Sequence, residues 1–389
     1  MENIGVGMYD HPRYSVRNIL IDNRNWEIYK SNHPELDKYI IIEIEKMLDC
    51  CNPEKGFFTG YCEHCKKDII MHFKCNGKVC TRCGRTYVDK WVEKSKKKIF
   101  KEAHKLVSLT IPSDLRKLFV DRWDLLKILQ DSAYEAIEVT ASKTLRKKVK
   151  IGILVGLQTY GQDMKFHPHL HCAVLKKVKH NGKIVDFRFI PSEFLRITWK
   201  NILIKNICKA DISYAEKELT YSMIERYSNG FVTNVEDSRN QDAVIRYLAR
   251  YMRHPAISNS RIEFYDGKNV KIKVDKNKWK TFHQVFTIDE FITSLIQHIP
   301  PKNFKVVRWY GLYSRREVRL ERKNSCERQE TISLFLHGKT KLIKCPDCNN
   351  PLKDVEFFIS KPPDKIKLMN KLDYWIELTN RSYARRALS

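Results

Sequence analysis

No apolar run among the 389 residues approaches the roughly 18–20 needed to span a bilayer, so no membrane-spanning helix and no membrane partner is expected. The stretch from Met1 to Arg24 is polar and interrupted by Pro12, unlike a secretory signal, which predicts a cytoplasmic chain. Internal repeats and low-complexity segments are missing, which excludes a repeat array and a disordered tether. Acidic residues are scarce: 46 Asp and Glu face 72 Lys and Arg, a net charge of +26. Self-repulsion of that size opposes compaction unless a polyanion neutralises it, and without a membrane that polyanion is nucleic acid.

Cysteine, by contrast, is plentiful. In a reducing compartment the 12 cysteines read as metal ligands or core residues rather than disulfides. Cys62-x-x-Cys65 is followed fourteen residues later by Cys80-x-x-Cys83. Two such turns complete a tetrahedral thiolate shell for a structural Zn2+, with no position open for substrate. Cys75, Cys50, Cys51, His64 and His72 lie nearby and are alternatives for one ligand. Cys345-Pro-Asp-Cys348 is half of a second zinc motif; no clear partner lies close by, and Cys326 and His337 are candidates for its missing half.

The periodicity predicts a helix from Asp37 to Leu48, a strand from Leu106 to Thr110, and a helix from Asp114 to Lys147 capped by Ser113. Strands are expected at Ile151–Thr159 and Leu170–Leu175, with helices at Pro191–Lys209 and Arg239–Met252. Asp266-Gly267 suits the turn of a hairpin spanning Arg261 to Val274. Thr287 and Glu290 form a capping box for a helix through His298. Strands and helices alternate without a βαβ rhythm, which favours α+β.

The sharpest chemistry is in Phe166-His-Pro-His-Leu-His-Cys-Ala-Val-Leu175. On a strand His169 and His171 share one face, while Leu170, Cys172 and Val174 pack on the other. Two imidazoles so placed can hold one divalent ion and leave positions open for a phosphodiester. Tyr247 and Tyr251 are one helical turn apart, at the edge of an apolar arc of Val244, Ile245, Leu248 and Met252. Arg246, Arg250 and Arg253 interleave with them and can contact DNA phosphates. Alone, each pattern is more often plain packing; together they point to a metal-assisted tyrosine nucleophile.

Gln158-Thr-Tyr-Gly161, His167-Pro-His-Leu-His171 and the run from Tyr247 to Ile262 closely resemble the two-tyrosine HUH transposases of rolling-circle insertion sequences. The module from Cys62 to Trp91 resembles that family's N-terminal zinc-binding domain. Val307-Arg-Trp-Tyr-Gly-Leu312 and the Cys-Pro-x-Cys at Cys345 resemble its C-terminal region.

The resemblance implies an HUH-type antiparallel sheet core flanked by helices, with a zinc-ribbon-like module before it and a basic region after it. The expected segments are a helical lead-in (1–49), the zinc module (50–93), the catalytic domain (94–265) and a C-terminal accessory region (266–389). His169 and His171, with Gln158 or else Asp163, would hold Mg2+ or Mn2+. Tyr247 or Tyr251 would attack single-stranded DNA at hairpin-bearing element ends to give a 5′-phosphotyrosine, without a nucleotide cofactor. A nucleoid-associated, prokaryotic-type protein is implied. The competing readings are an HUH replication initiator and a non-catalytic zinc-ribbon DNA-binding protein.

Overall fold

The computed structural model describes residues 14–314 and 343–358, apart from 78, 97, 101, 239–240, 250–254 and 278–279. The chain opens with helices α1 (Val16–Ile21), α2 (Asn25–Asn32) and α3 (Lys38–Leu48), then strands β1 (Phe57–Cys62) and β2 (Lys67–His72). Helix α4 (Thr81–Lys96), strand β3 (His104–Thr110), and helices α5 (Ser113–Arg116) and α6 (Trp123–Thr144) follow. Next come strands β4 (Lys150–Tyr160), β5 (Phe166–His180) and β6 (Lys183–Asp186), then helices α7 (Ser192–Ile207) and α8 (Tyr214–Arg226). Strand β7 (Thr233–Asp237) leads to helix α9 (Gln241–Ala249) and the strands β8 (Ile262–Tyr265), β9 (Asn269–Asn277) and β10 (Lys280–Thr287). Helix α10 (Ile288–Ile296) and strands β11 (Val307–Gly311) and β12 (Lys353–Phe358) complete the described elements.

By its contacts the chain divides into two units, residues 1–44 with 77–321 and residues 45–76 with 322–389.

The larger unit is built on an antiparallel sheet in the order β11-β4-β5-β3-β7, with β6 paired to the far end of β5. The α+β class and the neighbouring placement of β3 and the histidine strand are as expected. Side-chain alternation assigns two apolar faces. Ile153, Val155, Leu157, Leu170, Cys172 and Val174 pack against α6 and α7, around Leu125, Leu129, Trp199 and Leu203. Leu154, Ala173 and Leu175 pack on the other side, against Val244, Ile245 and Leu248 of α9 and Val92 of α4. The sheet is thus covered on both faces, which explains the unbroken apolar stretches in β4 and β5. Trp199 Nε1 donates to the Thr110 carbonyl at 2.9 Å and pins α7 to the end of β3.

The single helix expected from Asp114 to Lys147 is broken. A 3-10 turn at Lys117–Phe119 and a left-handed Asp121 (φ 56°) interrupt it, and α6 begins only at Trp123. Ser113 does not cap α5; its hydroxyl donates to the Asp114 carboxylate at 3.1 Å instead. The expected hairpin is present as β8 and β9. Gly267 sits at φ 90°, and Asp266 Oδ1 accepts the backbone N–H groups of Lys268 and Asn269 at 2.8 and 2.6 Å. A third strand, β10, joins it and runs directly into α10, whose Thr287–Glu290 capping box forms as expected. The lead-in helices are tied to this region: Asn25 Nδ2 donates to the Tyr265 hydroxyl at 3.0 Å, and Tyr29 bonds Thr293 at 2.9 Å.

The smaller unit is a three-stranded antiparallel sheet in the order β12-β1-β2, over a core of Phe58, Cys62, Ile69, Cys345 and Leu352. At Gly60 the strands approach closely, and a Cβ there would press on Leu352 Cβ and Val355 Cγ2 at 3.2 Å. That close approach seats the strand from near the C-terminus on the N-terminal hairpin.

Candidate active site and thiol clusters

The candidate active-site face is defined by strand register. Gln158 on β4 and Thr110 on β3 are paired with His169, and Gly156 and Ser108 are paired with His171. Paired residues on antiparallel strands project to the same face, so Gln158, His169 and His171 converge on the side covered by α9. His167 shares that alternation, and its ring lies 5.0 Å from His169 between centroids. The rings of His169 and His171 are 4.9 Å apart and nearly perpendicular.

His169 and Gln158 are each held with an acceptor to spare. His169 Nδ1 is 2.7 Å from the His167 carbonyl. A carbonyl only accepts, so Nδ1 carries the proton and Nε2 keeps its lone pair. Gln158 Nε2 donates to the Tyr160 carbonyl at 3.1 Å, while its Oε1 is buried with no hydrogen-bond partner among the described residues. Burial lowers the pKa of all three histidines, to about 4 for His167 and about 3 for His171, so the imidazoles are neutral at neutral pH. Neutral imidazoles and an unsatisfied carboxamide oxygen are a donor set that fits a divalent cation. Asp163, the alternative third ligand, lies in the β4–β5 turn, where its Oδ1 accepts the Lys165 N–H at 3.2 Å.

Helix α9 brings Tyr247 to this face. Val244, Ile245, Leu248 and Ala249 are buried and seat the helix, leaving Tyr247 half-buried and Arg246 exposed. The Tyr247 hydroxyl lies 2.7 Å from His171 Nδ1 and 3.2 Å from Ser108 Oγ. Tyr251, Arg250 and Arg253 lie outside the described residues. Ser108 is a half-buried neighbour of the site that the sequence reading missed, because its place depends on the register of β3 against β5.

The thiols depart from the sequence reading. The sequence groups Cys62 and Cys65 with Cys80 and Cys83, whereas the structure groups them with Cys345 and Cys348, all four sulfurs within 4.8 Å of one another. Cys62 Sγ is 3.5 Å from Cys348 Sγ, and Cys65 Sγ is 3.9 Å from Cys345 Sγ. The reason is topological: β12 pairs with β1 and carries the distant half-motif to the nearer one. Cys326 and His337, the candidates for completing that half-motif, lie outside the described residues. The Asn350 backbone amide draws Cys348 down to about 6, and the Cys348 sulfur pushes Cys65 up to about 12. Crowded thiols of this kind cannot all ionise without a cation between them. Cys80 and Cys83 form their own turn at the start of α4, with the Cys83 N–H donating to Cys80 Sγ at 3.5 Å.

Comparison with known proteins matches these two parts in order. Residues 21–111 match a transposase zinc-binding domain, Zn_Tnp_IS91. Residues 152–320, from β4 past α9, match the family Y2_Tnp, described as "Putative transposase". Both matched parts are thus similar to transposases. It is 23% identical over 295 residues to the transposase for insertion sequence element IS801 of Pseudomonas savastanoi pv. phaseolicola, covering 71% of each chain. It is 22% identical over 323 residues to "Putative transposase y4qJ" of Sinorhizobium fredii, covering 76% of this chain and 80% of that one. No solved structure matches it significantly. Gln158, His169, His171 and Tyr247 all fall inside the transposase match, while Cys345 and Cys348 fall outside both matched regions. The matched zinc-binding domain and the thiol clusters together support structural Zn2+ in this chain. No helix among the described residues is long and apolar enough to cross a membrane.

Proposed function

We propose that this chain is a transposase that nicks and rejoins single-stranded DNA through a 5′-phosphotyrosine, in rolling-circle-type transposition. The observation that carries the reading is the Tyr247 hydroxyl set 2.7 Å from His171 Nδ1, on the face shared by His169 and Gln158. His169 Nε2, His171 Nε2 and Gln158 Oε1 would hold Mg2+ or Mn2+, which supplies polarisation of the scissile phosphate.

The chain's own groups do the rest. Were His171 Nε2 a ligand, the imidazole proton would reside on Nδ1 and be directed at the phenol oxygen 2.7 Å away. That bond favours the phenolate, as does the Ser108 hydroxyl, and a phenol with pKa about 10 needs such help at neutral pH. The phenol gives up its proton to water; attack on phosphorus forms the Tyr247 O–P bond and breaks the P–O3′ bond, and the released 3′-oxygen takes a proton from water to become the 3′-OH. The phosphodiester energy stays in the covalent link, so rejoining needs no nucleotide cofactor. Tyr251, one helical turn on in sequence, would take the second strand. Arg246 and the +26 net charge favour a polyanionic partner, proposed to be single-stranded, hairpin-bearing element ends bound in a prokaryotic-type nucleoid.

The test is cleavage of labelled single-stranded element ends with Mn2+ by the parent, Tyr247→Phe, Tyr251→Phe and the double variant. A covalent protein–DNA adduct that disappears in the double variant is expected. No adduct with well-folded, zinc-loaded parent protein would return the chain to a non-catalytic DNA-binding role. Adducts formed only on plasmid or viral origins would instead mark a replication initiator.

A further inference from the structure

We propose that Cys62, Cys65, Cys345 and Cys348 hold one zinc ion, a single site clasping the N-terminal hairpin to a strand near the other end of the chain.

The two half-sites are built alike. Cys62 ends β1 and Cys65 lies in the turn to β2, with the Cys65 N–H donating to Cys62 Sγ at 3.4 Å. Lys66, which follows, is left-handed at φ 53°. In the second turn the Cys345 N–H bonds the Asn350 carbonyl at 2.8 Å, the Asn349 N–H bonds the Cys345 carbonyl at 2.9 Å, and Asn349 is left-handed at φ 62°. In each, the residue after the second cysteine takes the left-handed turn, which curls the backbone around the sulfurs so that both point inward. Backbone N–H groups directed at sulfur stabilise thiolates, the form that binds metal.

Metric detail favours zinc over disulfides. Zn–S bonds of about 2.3 Å in a tetrahedron place sulfurs about 3.8 Å apart. The cross-turn separations of 3.5 and 3.9 Å bracket that value, whereas a disulfide requires about 2.05 Å. Four thiolates around Zn2+ leave a charge of −2, and cations from both half-sites flank the cluster. Lys67 pairs with Asp347 at 2.7 Å, and Lys353 pairs with Glu63, so each ion pair also crosses between the two segments. The apolar core beneath is small, so a metal would supply much of this unit's folding free energy.

The site is independent of strand-joining chemistry, and its test needs no cleavage activity. Zinc content would be measured on full-length Cys62→Ser/Cys65→Ser, Cys345→Ser/Cys348→Ser, the quadruple variant and Cys80→Ser/Cys83→Ser. Each of the first two doubles should lose one zinc per chain and the quadruple no more than one, while Cys80→Ser/Cys83→Ser keeps this ion. Because a double variant can fail to fold, thiol alkylation of the unmodified protein is mapped with and without a chelator. Cys62, Cys65, Cys345 and Cys348 should be protected together and become reactive together. Unchanged zinc in Cys345→Ser/Cys348→Ser, two ions lost in the quadruple, or alkylation of Cys345 and Cys348 while Cys62 and Cys65 stay protected would each overturn the shared site.

Discussion

The histidine face and the thiol clasp each gather a few ligand atoms, but from very different distances along the chain. His169 and His171 are two residues apart on one strand, and Gln158 is paired with His169 across the next. Cys62 and Cys348 are separated by 286 residues and meet only because β12 lies beside β1. Alternation along a strand assigns a face before any tertiary structure is known. Which half-motif meets which is decided by sheet order, on which a Cys-x-x-Cys spacing carries no information. The two regions should therefore fail separately.

The largest effect expected tests that separation. Replacing His169 and His171 with alanine should lower single-strand cleavage by about 10³-fold or more, since both ligands of the proposed catalytic ion are lost. Zinc content and thermal midpoint should stay near those of the parent, because the apolar face of β5 is untouched and no thiol is moved. Parallel loss of zinc and of the melting transition would show that the two regions are one cooperative structure.

The same contrast explains what was legible. The histidine strand, the two-tyrosine helix as far as Ala249, the Asp266-Gly267 hairpin and the Thr287 capping box all rest on spacings of two to four residues, and the elements form as expected. The break at Asp121 was not legible, because the apolar period continues across it and only one residue's left-handed turn stops the helix. Ser108 was not legible as part of the site either, since its place depends on the register of β3 against β5. Helix α8 and its Ser213–Glu216 capping box carried a local signal that went unused.

A middle-sized effect comes from a long-range contact of the larger unit. His104 is fully buried, with Nε2 2.6 Å from the hydroxyl of Tyr313, 209 residues away. Burial holds its pKa at about 4, against about 6.5 in an unfolded chain. As pH falls, the unfolded chain takes up the proton first. The stability this residue contributes is complete above pH 6.5 and drains away as pH drops towards 4. Denaturant unfolding should show parent protein about 2 kcal/mol less stable at pH 5 than at pH 7.5 from this group. His104→Gln, which keeps a hydrogen-bonding side chain without titrating, should remove that share of the slope. An unchanged slope would assign the acid sensitivity to the other buried histidines, His298 among them.

The smallest effect asks whether a locally encoded feature is worth the same wherever it stands. Thr287 Oγ1 accepts the Glu290 N–H at 3.3 Å, and the Glu290 carboxylate accepts the Thr287 N–H at 2.8 Å. Ser213 and Glu216 repeat the arrangement at 3.3 and 2.7 Å. Thr287→Ala and Ser213→Ala should each cost about 1 kcal/mol of helix stability, the usual value of an N-cap. Their readouts should differ. Helix α10 buries Phe291, Ile292, Leu295 and Ile296, so losing its cap should lower the global unfolding midpoint. Helix α8 buries only Thr220 and Met223, so losing its cap should appear mainly as faster amide exchange in its first turn, with the midpoint nearly unchanged. Equal global losses would mean that α8 is as firmly coupled to the sheet as α10, and that burial along a helix is a poor guide to how its ends are felt by the whole fold.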